Sequence, residues 1–99
     1  TFGPVITVSK FRTEEEAIQL ANDTPYGLSS SVWTLDLAKA DRVARRIDAG
    51  NVCINDVMVT EGNSALPFGG VKKSGHGREK GFEALYEFSA LKTVIMKHD

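Results

Sequence analysis

Residues 28–56, LSSSVWTLDLAKADRVARRIDAGNVCIND, decide how this chain is read. Residues 28–34 hold small and β-branched side chains around Trp33 and read as a strand. Asp36 then stands where a helix cap belongs. Ala40, Val43, Ala44 and Ile47 follow at the i, i+3, i+4, i+7 spacing of one helical face. Gly50 is the expected stop of that helix. Residues 51–56 (NVCIND) form a short apolar run suited to a strand covered on both faces. A strand, a helix and a strand in this order favour parallel pairing through a right-handed crossover.

The pattern extends toward the N-terminus. Residues 5–11 (VITVSKF) are rich in β-branched and aromatic side chains and read as a further strand. Thr13 opens a capping box with Glu16, and Glu14, Glu15 and Glu16 suit the positive end of a helix. Ala17, Ile18, Leu20 and Ala21 give that helix its apolar side, and Pro25 and Gly27 end it. The expected fold class is therefore α/β, a βαβαβ parallel-sheet unit in three layers. Residues 57–77 break the periodicity, well beyond the usual loop of about five residues. A helix is expected over 78–89, with Phe82, Leu85 and Tyr86 on its apolar side, and a last strand over 91–97 (LKTVIMK).

Composition narrows the function classes. The 99 residues are 41% apolar and 25% charged with a net charge of −1. Such a balance exerts no general pull on nucleic acid or on anionic membranes. No apolar run approaches the roughly 20 residues of a membrane span. The single cysteine, Cys53, excludes an internal disulfide and fits a reducing, cytoplasmic setting. There is no initiator methionine, and the chain reads as a piece of something longer.

Candidate chemistry is sparse. Cys53 lies inside an apolar strand and reads as a buried, inert thiol. His76 and His98 have no metal-ligand spacing with Cys53 or with each other, so no metal is expected. Residues 66–79, LPFGGVKKSGHGRE, pack Gly69, Gly70, Gly75 and Gly77 with Lys72, Lys73 and Arg78. An anion cradle is one reading of that loop. The established patterns fit poorly. Gly70 and Gly75 have the Walker spacing, but His76-Gly77 follows in place of Lys-Ser/Thr. Gly75, Gly77 and Gly81 are one residue too widely spaced for the dinucleotide fingerprint. Close backbone packing is the other reading of these glycines.

The order of motifs carries a further signal. Phe2-Gly3-Pro4-Val5, Glu16-Ala17-Ile18, Ala21-Asn22, Tyr26-Gly27-Leu28, Gly50-Asn51-Val52 and Ile54-Asn55 follow one another at set spacings. Pro67-Phe68-Gly69-Gly70, Lys72, Ser74-Gly75 and Gly77-Arg78-Glu79 continue the series. Taken together they resemble the C-terminal segment of the aldehyde dehydrogenase superfamily, over essentially the whole chain. The resemblance implies an NAD- or NADP-dependent enzyme that oxidises an aldehyde to a carboxylic acid through a thioester. It implies that the nucleophilic cysteine, the general-base glutamate and the dinucleotide-binding fold precede this segment. No catalytic residue would lie in this chain, and the segment alone would be inactive.

Two site residues carry over. Phe2 matches the family position that packs near the nicotinamide ring, and Phe68 matches an aromatic on the wall of the substrate tunnel. The family pattern divides the chain into residues 1–89, the end of the catalytic domain, and residues 90–99, a terminal oligomerisation strand. That strand would meet identical subunits through Leu91, Thr93, Val94 and Ile95. Three alternatives stand beside this reading. They are an acylating, coenzyme-A-dependent semialdehyde dehydrogenase, a stand-alone anion-binding module, and a module whose task is association.

Overall fold

The computed structural model describes residues 3–57 and 62–99. Its elements, in chain order, are α1 (Glu14–Asn22), β1 (Tyr26–Gly27), β2 (Ser29–Val32), α2 (Leu37–Ala44), β3 (Asn51–Ile54), β4 (Val71–Lys72) and α3 (Glu83–Glu87). Strands β2 and β3 pair in parallel, from Ser29 opposite Asn51 to Val32 opposite Ile54, with α2 between them. The expected strand-helix-strand unit is therefore present. A second, antiparallel pair joins β1 to β4, with Tyr26 opposite Lys72 and Gly27 opposite Val71.

Local capping chemistry sets the helix starts. The Glu16 amide donates to Thr13 Oγ1 at 3.1 Å, and the Glu16 carboxylate accepts from the Arg12 amide at 2.8 Å. The capping box is thus closed one residue earlier than the standard form. At α2 the Lys39 amide donates to Asp36 Oδ1 at 3.0 Å. The two helices are tied by charge. Arg42 grips Glu14 through two bonds of 2.8 and 2.7 Å, and Arg46 holds Glu15 at 2.9 and 2.7 Å. The hydrogen bond from Arg42 keeps the Glu14 carboxyl below its ordinary pKa.

Three expectations are corrected, and a fourth, the last strand, finds no partner within this chain. The strand over residues 5–11 is not formed; it has no ladder partner among the described residues, and Ile6 and Val8 are exposed. Its composition favours extension, but a strand also needs a second row of donors and acceptors beside it. The sheet thus has two parallel strands in place of three. Its third layer is also incomplete, because α1 and α2 border a common trough with β2. On β3, Asn51 and Cys53 are buried while Ile54 is 39% exposed, so cover lies on one face only.

The second and third corrections concern helix length. Helix α2 ends at Ala44, where amides of Arg46 and Ile47 reach only three residues back, to Val43 and Ala44. Gly50 lies beyond it and donates instead to the Gly27 carbonyl at 3.0 Å. The last helix covers only Glu83–Glu87, because Lys80 (φ 61°) and Gly81 (φ 62°) sit in the left-handed region and bar an earlier start. Its expected apolar residues, Phe82, Leu85 and Tyr86, are all exposed. Fourth, residues 91–97 form no strand within this chain, and Leu91, Val94, Ile95 and Met96 are exposed. Nothing among the described residues pairs with them.

Among the described residues the core is accordingly small: Ile18 from α1, Ala40 from α2 and Cys53 from β3, with Asn51 of β3 buried as well. The chain extends 73 × 32 × 25 Å, with a radius of gyration of 18.5 Å. A compact chain of this length would have about 13 Å. At the junction of β3 and the glycine loop, backbone packs directly on backbone. A methyl group added at Gly50 would collide with the Gly69 carbonyl and come within 3.1 Å of the Gly70 Cα. We expect Gly50→Ala to destabilise the full-length protein by about 3 kcal/mol or more. Gly62→Ala, where an added methyl meets nothing within 4 Å, should leave the melting temperature nearly unchanged. Parallel thermal melts of the two variants check this.

Candidate functional site

The loop after β3 is organised by a short bridge between Phe68 and Glu79. The Phe68 amide donates to the Glu79 carbonyl and the Glu79 amide to the Phe68 carbonyl, each at 2.7 Å. These bonds close residues 69–78 into a folded loop whose ends are fixed. Inside it, Gly69 lies so close to the Gly77 carbonyl that no side chain fits, and a Cβ on Gly70 would meet that of Ser74 at 2.6 Å. Gly77 itself has φ 83°, which glycine adopts without strain.

Side chains then moor the loop to the sheet. Asn51, buried at the start of β3, donates from Nδ2 to the Gly69 carbonyl at 3.0 Å and to the Leu28 carbonyl at 3.4 Å. The Gly27 amide donates to Ser74 Oγ at 2.9 Å, and the Lys73 amide to the Pro25 carbonyl at 2.8 Å. The bonds to the Gly69 carbonyl and from the Gly27 amide supply partners to main-chain groups at the ends of these short strands.

This geometry decides between the two readings of the glycines. Two of the loop cations, Lys72 and Arg78, are turned on the protein's own carbonyls. Arg78 Nη1 donates to Gly70 and Gly77 at 3.0 and 2.7 Å. Lys72 Nζ donates to Asn22 at 3.0 Å and Thr24 at 3.4 Å, with Asp48 at 3.8 Å. An open cavity of about 360 Å³ beside the loop is bordered by Arg78, but also by Glu79 and Glu87. Acidic groups there repel an anion. No helix begins at the loop's end, since α3 starts four residues beyond Glu79. Close packing accounts for Gly69 and Gly70 and positive-φ backbone for Gly75 and Gly77; a phosphate cradle does not.

Phe68 is half-buried, its backbone locked by the bridge to Glu79. The Lys80 ammonium lies over its ring, 5.8 Å from the centroid. Phe2 lies outside the described residues. Cys53 is a buried thiol on β3, opposite Ser31. Among the described residues no cluster of three or more metal-ligating side chains exists.

Sequence reasoning passed over several residues that the structure makes central. Asn22 donates to the Arg46 carbonyl and accepts from the Asp48 amide, both at 2.8 Å. Asn55, at φ 54°, brackets Thr34, accepting from its amide at 2.9 Å and donating to its carbonyl at 3.0 Å. Asparagines directly after apolar runs were the available signal, since the amide side chain both donates and accepts and tolerates left-handed backbone.

Comparison with known proteins agrees with the motif order. The family model for the aldehyde dehydrogenase family matches residues 1–94. The chain belongs to the aldehyde dehydrogenase family. It is 50% identical over 93 residues to the NADP/NAD-dependent aldehyde dehydrogenase PuuC of Escherichia coli (strain K12), covering 94% of this chain and 18% of that protein. To the 4,4'-diapolycopene aldehyde oxidase of Methylomonas sp it is 54% identical over 89 residues, 90% of this chain and 17% of the relative. The crystal structure of betaine aldehyde dehydrogenase from Staphylococcus aureus in complex with NAD+ superposes with a TM-score of 0.83 at 52% identity. That superposition covers 88% of this chain and 17% of that one. The chain thus spans a fifth or less of the length of these family members.

The mooring role of Arg78 has a direct test. Arg78→Met in the full-length protein keeps the length of the side chain and leaves the Gly70 and Gly77 carbonyls unpaired. We expect a loss of about 1–3 kcal/mol of stability. Inorganic phosphate should not raise the melting temperature of the parent protein, as it would if the loop were an anion site.

Proposed function

We propose that this segment is the end of the catalytic domain, over residues 1–89, of an NAD(P)-dependent aldehyde dehydrogenase, followed at 90–99 by an oligomerisation strand. The observation that carries the reading is the family match over residues 1–94, joined to the likeness to an NAD+-bound relative. The intact enzyme oxidises an aldehyde to its carboxylic acid. A thiolate adds to the aldehyde carbon, that carbon loses hydride, and water cleaves the resulting thioester. The bound nicotinamide supplies the hydride acceptor.

Buried Cys53 is not the thiolate, so nucleophile and general base come from elsewhere in the full-length enzyme. The described residues offer no dinucleotide cradle. This segment's share in cofactor binding is therefore Phe2, packed near the nicotinamide ring, and its share in substrate binding is Phe68 on the tunnel wall. Rigid anchoring of the Phe68 backbone suits a wall against which an aldehyde is oriented. Phe68→Ala in the intact enzyme should lower kcat/KM by about 1–3 kcal/mol, by an amount that varies with the shape of the aldehyde. An equal loss for every aldehyde, tracking a fall in melting temperature, would make Phe68 purely structural. Among the described residues no helix is long and apolar enough to cross a membrane, and the reduced lone thiol suits a cytoplasmic enzyme.

The partner surface is the exposed terminal arm. Leu91, Val94, Ile95 and Met96 expose apolar groups on both sides of an unpaired segment. Such a segment is completed by adding to the sheet of a second molecule. We place the contact with identical subunits at Leu91, Thr93, Val94 and Ile95. Sedimentation of the full-length enzyme should show a smaller assembly for Val94→Pro, which removes a main-chain donor without shortening the chain. An unchanged sedimentation coefficient would move the subunit contact elsewhere.

A further inference from the structure

We propose that Lys72 is a positioning residue for the aldehyde site, its ammonium holding the loop over residues 69–78 in the orientation that seats Phe68 against the substrate. The inference rests on Phe68 as the wall of the substrate tunnel. The bridge between Phe68 and Glu79 closes the loop but does not aim it, because both residues lie at the loop's own ends. The aim comes from bonds to the rest of the chain, and at Lys72 three segments meet. Lys72 Nζ donates to the carbonyls of Asn22, at the end of α1, and Thr24, at 3.0 and 3.4 Å. The Asp48 carboxylate, between α2 and β3, lies 3.8 Å away. Helix α1 carries Glu14, Glu15 and Glu16 in its first turn and no basic residue in its last. Lys72 thus supplies the positive charge that favours the C-terminal end of a helix.

The backbone of Lys72 marks the same role. At φ 56° it is left-handed, a conformation that lysine seldom takes, although it lies in β4 opposite Tyr26. Such a conformation persists only where surrounding contacts impose it. The side chain is 26% exposed, so its charge-assisted bonds are partly shielded from water and can impose it here. Without the ammonium, a side chain at this position relaxes toward ordinary extended backbone. The turn is passed to Phe68 through Gly69, Gly70 and Val71, of which the two glycines have little conformational preference of their own. Asn51–Gly69 and Gly27–Ser74 also moor the loop, with neutral partners; Lys72 adds a charged one.

Two probe aldehydes test this in the full-length enzyme: phenylacetaldehyde, whose ring can rest on the wall, and acetaldehyde, which is too small to need it. Lys72→Met should lower the ratio of their kcat/KM values, phenylacetaldehyde over acetaldehyde, about tenfold. Lys72→Gly, which takes left-handed backbone without strain, should keep the ratio within about threefold of the parent. In a Phe68→Ala background, adding Lys72→Met should change the ratio by less than about twofold, because the two substitutions act on one wall. An equal fall for both aldehydes in Lys72→Met, with a lower melting temperature, overturns the proposal, since that is the mark of a structural residue. An undiminished effect in the Phe68→Ala background overturns it as well, as does Lys72→Gly behaving like Lys72→Met. Lys72→Gln takes the place of Lys72→Met, with the same outcomes, if the methionine variant does not fold. Phe68→Ala alone separates the two readings. If it leaves the ratio unchanged, the tunnel-wall role fails. If it lowers the ratio while Lys72→Met does not, only the role of Lys72 fails.

Discussion

Direct contact between two stretches of main chain, Gly50-Asn51 and Gly69-Gly70, is the constraint on which the loop and sheet both depend. Gly50 offers a bare Cα to the Gly69 carbonyl, and Asn51 turns its side-chain amide onto that same oxygen at 3.0 Å. Both effects act on one atom. Without the glycine the loop could not approach; without the asparagine its carbonyl would be shielded from water with no donor. An unsatisfied buried acceptor costs about 1–3 kcal/mol, comparable to what a single well-buried aliphatic side chain contributes. With only Ile18, Ala40 and Cys53 as buried apolar residues among those described, such polar terms weigh heavily.

The same logic recurs wherever elements are too short to pair their own backbones. Asn22 ties the end of α1 to the turn after α2, and Asn55 brackets both main-chain groups of Thr34. Each amide behaves as a detachable peptide unit, supplying the donor and acceptor of a missing strand. The ion pairs between α1 and α2 contribute differently. Arg42 meets Glu14 with good two-point geometry, yet the Arg42 side chain is half exposed, so salt and side-chain entropy erode the gain. They choose the facing of the helices more than they hold them together.

What was legible in the sequence was whatever local chemistry determines. Thr13 and Asp36 cap the helices as their positions imply, and residues 29–32 and 51–54 pair in parallel around α2. The expected burial of Cys53 and the close packing at Gly69 and Gly70 agree with the structure. Residues 5–11 went wrong, and residues 91–97 find no partner within the chain, for a single reason. Composition reports a preference for extended backbone, whereas a strand is a relation between two segments, and the described residues supply no second one. The β1–β4 pair was invisible because two residues carry no periodicity. The delayed start of α3 was equally hidden, since nothing in the letters of Lys80-Gly81 announces a left-handed lysine. At the candidate site, Phe68 was reached through the family resemblance, but its bridge to Glu79 and the lysine above its ring are tertiary facts.

Those unpaired segments also explain how so thin a core can still present a defined site. Ile6, Leu35, Phe88, Leu91 and Ile95 are almost entirely exposed here. Side chains of this size each contribute about 1.5–3 kcal/mol when removed from water, so most of this chain's apolar stabilisation depends on cover from outside it. The loop is built the other way. Its fixed points are hydrogen bonds made within the chain, at Phe68–Glu79, Gly27–Ser74, Asn51–Gly69 and Arg78–Gly70. Apolar burial is roughly proportional to area and tolerates small shifts, whereas hydrogen bonds weaken steeply with misdirection. A wall residue that must orient a reactant within a fraction of an ångström is better anchored by the second kind of force. The division of labour follows: the arms are left to be held by their neighbours, and the loop that carries Phe68 holds itself.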